Sequence, residues 1–457
     1  MKVVIVGAGE VGFNIASHLV SEGQDVVLVE RDEAVLAHAT EGLDIQGLRG
    51  HGARPDVLEE AGISGASMLV AVTDSDEVNM VACLNAAILG PSDIIKIARV
   101  RAPSYTDPRI FGDARVAIDL AINPERVAAD KILALLQLPE VTEVLDFADG
   151  KVRVMGLRIE PTSPLAGMRL IDLPDRLDPA VHLLVAAIHR DTEVIIPHGF
   201  DVILPGDEVY VVTSADNTKQ ALAEIGVTSA PIHRVMIIGG SQTGRFLAAD
   251  LAAQGLKPKL IEQDPELARW LAEELPGTVV VTGNPTDADL LQEENAGEME
   301  AFIACSRHEE ANVMSGLVAK QLGARRIIAT TNRADYLPVM KAIGIDVCIS
   351  PRIDAVSSIL HFIRKGRVSA VRALGQESTA EAIEFEAQLT SDVVGTPLHS
   401  LRWPKRALIA AIVREGDVLI PGGATVIEEG DHVVVVAHRS AIDEVEHLLS
   451  RRVDRQR

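Results

Sequence analysis

Val3-Val4-Ile5-Val6-Gly7-Ala8-Gly9-Glu10-Val11-Gly12 decides how the rest of the chain is read. Four consecutive β-branched residues suit a parallel strand buried on both faces, and the glycines follow directly. Val11, Ile15 and Leu19 then recur at i, i+4 and i+8, one apolar helix face, so the glycines occupy a strand-to-helix turn. Such a turn can hold phosphate. Gly7 permits the tight turn, Gly9 lets the backbone approach a pyrophosphate, and Gly12 lets the helix pack closely on the sheet, while the helix N-terminus offers free N–H groups and a partial positive charge. The next apolar run, Val26-Val27-Leu28-Val29, delivers Glu30, 18 positions beyond Gly12, where a ribose-binding acid belongs. The stretch Gly7 to Gly12, with Ala8, Glu10 and Val11, therefore reads with Glu30 as a dinucleotide or adenine-nucleotide site. A purely structural glycine turn is the alternative.

At 457 residues the chain is too long for one core and suggests three or four domains. Its net charge of −23 argues against nucleic acid or anionic lipid as the main partner, because both reward clustered Lys and Arg. The start Met-Lys-Val-Val-Ile-Val-Gly lacks signal-peptide anatomy, and no apolar run reaches the roughly 18 residues of a membrane span, so a soluble, cytoplasmic protein is expected. Cys83, Cys305 and Cys348 are scattered and odd in number, without disulfide or zinc spacing, and read as small core residues.

The chain repeats itself. Val235-Met236-Ile237-Ile238 followed by Gly239-Gly240-Ser241-Gln242-Thr243-Gly244 restates the opening stretch 232 positions later, and Glu262 stands 18 positions beyond Gly244 as Glu30 does beyond Gly12. Val72-Thr73 with Glu77 and Asn79 parallels Cys305-Ser306 with Glu310 and Asn312, and Arg101 parallels Arg333. Later, Ile196-Pro197 and Gly206-Asp207 reappear as Ile420-Pro421 and Gly430-Asp431. Two copies of a two-domain unit result: α/β domains with doubly wound parallel sheets over 1–140 and 232–366, each followed by a small α+β domain, over 141–228 and 367–457. The Gly-Asp positions read as turn chemistry. Ala128, Ile132, Leu135 and Leu136, and likewise Val356, Ile359, Leu360 and Ile363, define amphipathic connecting helices whose stripes pack on their own domain or on a neighbouring copy.

Thr73 and Asp74 follow the apolar run Leu69 to Val72, at the carboxyl end of a strand where open α/β sheets bind ligands. They are candidates to contact adenosine or its ribose; the alternative is that one of them caps the helix containing Asn79. Arg99 and Arg101 end the next strand and supply positive charge, with a surface ion pair as the bland reading of either. His51, in a Gly-flanked loop near the same rim, reads first as a loop hydrogen-bonder.

GAGEVG with Glu30, GHGARPDVLEEAG, LVAVTDSDEVNMVAC, IARVR and the whole domain order resemble the TrkA-like family, regulatory proteins of Trk potassium uptake built of two RCK units, each a Rossmann-like domain plus a TrkA-C domain. The resemblance covers essentially the entire chain. It implies a cytoplasmic subunit, peripheral on the inner face of the membrane, that assembles as a homo-oligomeric ring, a tetramer, under a TrkH/TrkG-type potassium transporter. It implies NAD(H) and ATP or ADP as ligands that bias the partner's gate, no catalysis, and Arg99 as the phosphate contact. By the same repetition Gly239, Gly240, Ser241, Gln242, Thr243, Gly244, Glu262, Ser306 and Arg333 become candidates for a second site. Ser241 replaces the second glycine there, and its Cβ crowds a pyrophosphate.

Two other readings compete. A dehydrogenase needs a general acid or base beside the nicotinamide and usually a separate substrate domain, and neither stands out. An RCK regulator of another channel or antiporter fits the same fold, since fold does not fix the partner.

Overall fold

The computed structural model describes residues 1–449 apart from 22, 106–117, 139, 179, 192, 228–231, 334, 365–369, 376–378, 390 and 392. The expected domain limits at 228, 366, 367 and 457 lie outside the described residues.

In the first sheet, β1 (Lys2–Val6), β2 (Asp25–Glu30), β3 (Gln46–Arg49), β4 (Met68–Ala71), β5 (Ile95–Arg99) and β6 (Leu120–Ile122) run parallel in the order β3-β2-β1-β4-β5-β6. Val3 to Val6 are buried on both faces, as their composition requires. The strand order reverses between β1 and β4, and ligands of such sheets bind outside the carboxyl ends of the strands at that switch point. The glycine turn sits there, leading into the helix Glu10–Ser21, whose Val11, Ile15 and Leu19 are buried.

The second sheet is antiparallel, with β7 (Val141–Phe147), β8 (Val152–Arg158), β9 (Leu184–Arg190), β10 (Glu193–Ile195) and β11 (Glu208–Ser214) in the order β10-β9-β11-β8-β7. A third sheet repeats the first: β12 (Val235–Ile238), β13 (Lys259–Glu262), β14 (Val279–Thr282), β15 (Ala301–Ala304), β16 (Ile327–Thr330) and β17 (Val347–Ile349), in the order β14-β13-β12-β15-β16-β17. The fourth repeats the second, with β18 (Ala370–Leu374), β19 (Ala380–Glu386), β20 (Ala407–Arg414), β21 (Asp417–Leu419) and β22 (His432–His438) in the order β18-β19-β22-β20-β21. The fold is thus the expected pair of doubly wound parallel sheets, each followed by a small α+β domain.

The chain forms two compact units. Met1–Asp130 joins Arg234–Leu360, and Lys131–His233 joins His361–Arg457, so each unit combines matching parts of both repeats. In the second unit the two antiparallel sheets share one core. Val152, Val154, Tyr210 and Val212 pack with Ala380, Ala382, Val434 and Val436, whereas the alternate residues Met155, Val209 and Val211 pack with the helix Thr218–Glu224 residues Ala221 and Leu222. On the other side Val433 and Val435 join Val445 and Leu449 of the helix Ile442–Leu449. This explains antiparallel strands that are apolar at consecutive positions: both faces are covered.

Two carboxylates, Glu143 half-buried and Glu384 buried, join these sheets. Glu143 Oε2 accepts the Gly375 amide at 3.1 Å and the Tyr210 hydroxyl at 3.0 Å, and Glu384 Oε2 accepts the Ala148 amide at 2.8 Å. The Gly-Asp positions do more than turn the chain. Asp207 takes Arg190 Nε and Nη2, each at 2.8 Å, and the Leu204 amide at 2.7 Å, and Asp431 holds Arg414 in the same way at 2.9 and 2.7 Å.

The connecting helices form over Pro124–Gln137 and Pro351–Arg364. Ala128, Ile132, Leu135, Leu136, Val356, Ile359 and Leu360 are all buried within the chain, and Ile363 is half-buried. Among the described residues no helix is long and apolar enough to cross a membrane.

Candidate nucleotide site

Gly7 closes β1 with φ +103°, a left-handed value that glycine adopts without strain, and its amide caps Val29 of β2 at 2.9 Å. A Cβ on Gly12 would lie 1.9 Å from Gly7 O, so the helix rests directly on the turn. A Cβ on Gly9 would meet nothing within 4 Å. The two glycines do different jobs: Gly12 packs protein on protein, and Gly9 faces open space.

That space is a cavity of about 570 Å³, within the size range of ligand pockets. Gly7, Gly9, Glu10, Val11, Glu30, Thr73, Asp74 and Arg99 all line it, as does His51. Ala8 is buried and, with Gly12, sits behind the turn. Glu30 is fixed by three amides: Ala8 N donates to Oε2 at 2.8 Å, and Arg31 N and Asp32 N to Oε1 at 2.8 and 3.0 Å. Oε2, with a single amide, keeps a further lone pair, so a ribose hydroxyl can still donate to it. His51 Nδ1 accepts the Ala53 amide at 3.3 Å, a loop role at the cavity rim.

Thr73 is locked by Asn79, whose Oδ1 accepts both its amide and its hydroxyl at 2.9 and 2.7 Å. Neither Thr73 nor Asp74 caps the helix Asp76–Leu89. Ser75 does, accepting the Val78 amide at 3.3 Å. Asp74 is exposed and pairs with Arg99 Nη1 at 3.2 Å. Arg99 is only 8% exposed, and its Nε is buried without a hydrogen-bond partner. Burial above all, then the charges of Arg101 and Arg352, pull its guanidinium below the ordinary value, against Glu125 and Asp74. A buried cation with an unused donor at a cavity wall is disposed to accept an anion. Arg101 turns away from the cavity, its guanidinium held by the Asp74 carbonyl and lying 3.8 Å from Asp76.

Asp32, Val35 and, above all, Arg352 also line the cavity without having been singled out by motif. Arg352 comes from the second repeat and pairs with Glu10.

The second site is smaller, about 170 Å³. Gly239, Gly240, Ser241, Glu262 and Ser306 line it; Gln242, Thr243, Gly244 and Arg333 do not. Its frame copies the first: Glu262 Oε2 accepts the Gly240 amide at 2.6 Å, Asn312 holds Ser306, and a Gly244 Cβ would lie 2.2 Å from Gly239 O. Thr243 is buried, and Gln242 Nε2 donates to Arg101 O at 2.7 Å. Ser241 caps its own helix, accepting the Gly244 amide at 3.2 Å and donating to Cys305 O at 2.5 Å. Asn79 Nδ2 donates to Arg99 O and Asn312 Nδ2 to Thr330 O, which puts Thr330 where the first site has Arg99. Arg333 instead lies over the Tyr336 ring at 4.2 Å. Asn332, whose amide meets Glu309 as that of Arg101 meets Asp76, is the true counterpart of Arg101.

Comparison with known proteins agrees with this architecture. The TrkA-N domain family matches residues 3–124 and 235–351, and the TrkA-C domain family residues 154–226 and 382–450. The chain is 37% identical to Trk system potassium uptake protein TrkA homolog 1 of Methanosarcina mazei, covering 98% of this chain and 99% of that one. It is 36% identical to Trk system potassium uptake protein TrkA of Vibrio alginolyticus, covering 98% of each. Among solved structures, the GsuK channel bound to NAD superposes with a TM-score of 0.63 at 17% identity, over 98% of this chain and 78% of that one. At that identity the likeness is one of fold.

Proposed function

Since the chain belongs to the TrkA family of Trk-system potassium uptake proteins, we propose that it is the nucleotide-responsive regulatory subunit of such a system. It sits on the cytoplasmic face of a TrkH/TrkG-type membrane potassium transporter as a homo-oligomeric ring, a tetramer, and biases the transporter's gate according to whether NAD(H), ATP or ADP fills the first cavity. The observation that carries this reading is the cradle at Gly9, open where a Cβ would stand and walled by the buried, under-bonded Arg99. Gly7, Gly9 and the helix N-terminus would hold the phosphates, Glu30 a ribose, and Thr73 and Asp74 the adenosine side. In the second site Gly239, Gly240 and Ser306 would do the same for a smaller or weaker ligand.

The functional division follows the repeats, with nucleotide-binding domains at 1–140 and 232–366 and TrkA-C domains at 141–228 and 367–457. Self-assembly is supported by exposed apolar side chains on helices outside the sheets, Val81, Leu84 and Ile88 in the first repeat and Met314 and Val339 in the second, with Ile343 in the turn just beyond the last of them. We assign no catalytic step, because the cavity's Glu30 and His51 are engaged in fixing backbone.

The test is potassium flux in liposomes carrying a Trk-type membrane subunit. Flux should depend on this protein and change between ATP and ADP. A flux indifferent to the nucleotide would remove the proposed mechanism even if the complex formed.

A further inference from the structure

We propose that Arg352, donated by the second repeat, is a phosphate ligand of the first repeat's nucleotide site, held in reserve by Glu10. The inference rests on the nucleotide reading of that cavity and adds a residue to it. Arg352 lies on the helix Pro351–Arg364, far from the glycine motif in sequence, yet it lines the cavity beside Gly9 and Glu10 within the same compact unit. Its ion pair with Glu10 is half-exposed, the two side chains being 37% and 52% accessible, and such pairs are weak and easily exchanged. A phosphate offers more charge and bidentate geometry to the same guanidinium.

The local charges favour that exchange. Arg99 and Arg352 line the same cavity, close enough that Arg352 weakly disfavours the charged form of Arg99, and the buried Arg99 Nε has no acceptor. Glu10 occupies the first turn of the phosphate-binding helix, where its own charge repels a phosphate unless Arg352 neutralises it. Once a phosphate engages Arg352, the first site is closed by side chains from both repeats.

The arrangement is one-sided. In the second repeat Gln242 stands where the first has Glu10, and in the first repeat's connecting helix Glu125 stands where the second has Arg352. Gln242 makes a neutral bond to Arg101 O, and Glu125 lies 3.9 Å from Arg99 of its own repeat. The repeats have diverged so that one binds phosphate and the other lends it a cation.

Calorimetric titration of the full chain with adenosine, ADP and ATP tests this, using Arg352→Ala, Arg352→Lys and Glu10→Gln. Arg352→Ala should weaken ADP and ATP tenfold to a hundredfold and leave adenosine unchanged, because a charge-assisted contact to phosphate is lost and Glu10 is left unneutralised beside it, whereas adenosine carries no charge for either to act on. The double variant Arg352→Ala/Glu10→Gln, which removes the repulsion, should keep most of the loss. Arg352→Lys should recover part of the loss, and Glu10→Gln should tighten the phosphate-bearing ligands. Unchanged ADP and ATP affinity in Arg352→Ala, or an equal loss for adenosine, would overturn the inference while leaving the nucleotide site in place. Failure of the unmodified chain to bind any of the three would instead defeat the nucleotide reading, and this inference with it.

Discussion

The Ser241 hydroxyl accepts the amide of Gly244 at 3.2 Å, so the second glycine motif spends on its own helix cap a donor that a phosphate would otherwise meet. With Thr330 in place of the buried arginine and a cavity of about 170 Å³, the second site should bind dinucleotide far more weakly than the first. The full chain carrying Gly9→Val isolates it, because a Cβ at this position meets no protein atom within 4 Å and the branched side chain extends into the space proposed for the pyrophosphate. NAD(H) binding by calorimetry should disappear in this variant while its thermal unfolding stays unchanged. Retention of wild-type affinity would show that the second site suffices.

Arg99→Ala should lower ATP and ADP affinity about tenfold to a hundredfold, the range for a charge-assisted phosphate contact of about 1.5–3 kcal/mol. A ligand shifts a two-state equilibrium only by its difference in affinity for the two states, so the variant should also blunt the flux difference between ATP and ADP in liposomes. An undiminished difference would place the discrimination elsewhere.

Asp207→Ala should destabilise the second unit by about 3 kcal/mol, since it strips Arg190 of a partner buried at the carboxylate end and leaves the Leu204 amide unmet. Burial alone would raise the Asp207 carboxyl, but the Arg190 hydrogen bonds and the Leu204 amide hold it below its ordinary 3.8. Its contribution is therefore full above that value and is lost as pH falls through the depressed one. Urea unfolding of wild type and variant should converge in strongly acidic solution.

Glu143 should give the opposite slope. Burial, with some help from Glu208, raises its carboxyl above the ordinary 4.5, against Lys131, the Gly375 amide and the Tyr210 hydroxyl. The folded chain then binds this proton more tightly than the unfolded one, so the site's stabilisation is full below the ordinary value and declines as pH rises to the elevated one. Glu143→Gln should flatten that part of the pH dependence of Tm measured by scanning calorimetry. Parallel profiles would assign the slope to another group.

The glycine turn, Glu30 and the doubly wound sheets were legible because each is a local pattern: a strand, a turn and a helix face within a few residues. The arginines were less so. Between Asn312 and Thr330 the second repeat is two residues shorter than between Asn79 and Arg99, so a constant offset pairs Arg101 with Arg333 and misses Asn332. Arg352 left no local signal at all, since its place at the first cavity depends on how two distant segments pack. The apolar strands around Val211 and Val435 announced burial on both faces; the helix that follows each covers one face, yet the sheet of the other repeat, which covers the second, was not written nearby.

The core shared by the two antiparallel sheets makes the repeats complementary fragments. Phe147, Val154 and Tyr210 on one side and Leu374, Ala382 and Val436 on the other face no water in the intact chain. Severed from its mate, each half would present that face to solvent and aggregate, whereas the halves produced together as separate polypeptides should find each other and reconstitute the nucleotide-binding protein. The tandem chain is in effect a dimer made permanent by its peptide linker, and cutting the linker should cost it little more than the entropy of keeping two molecules together.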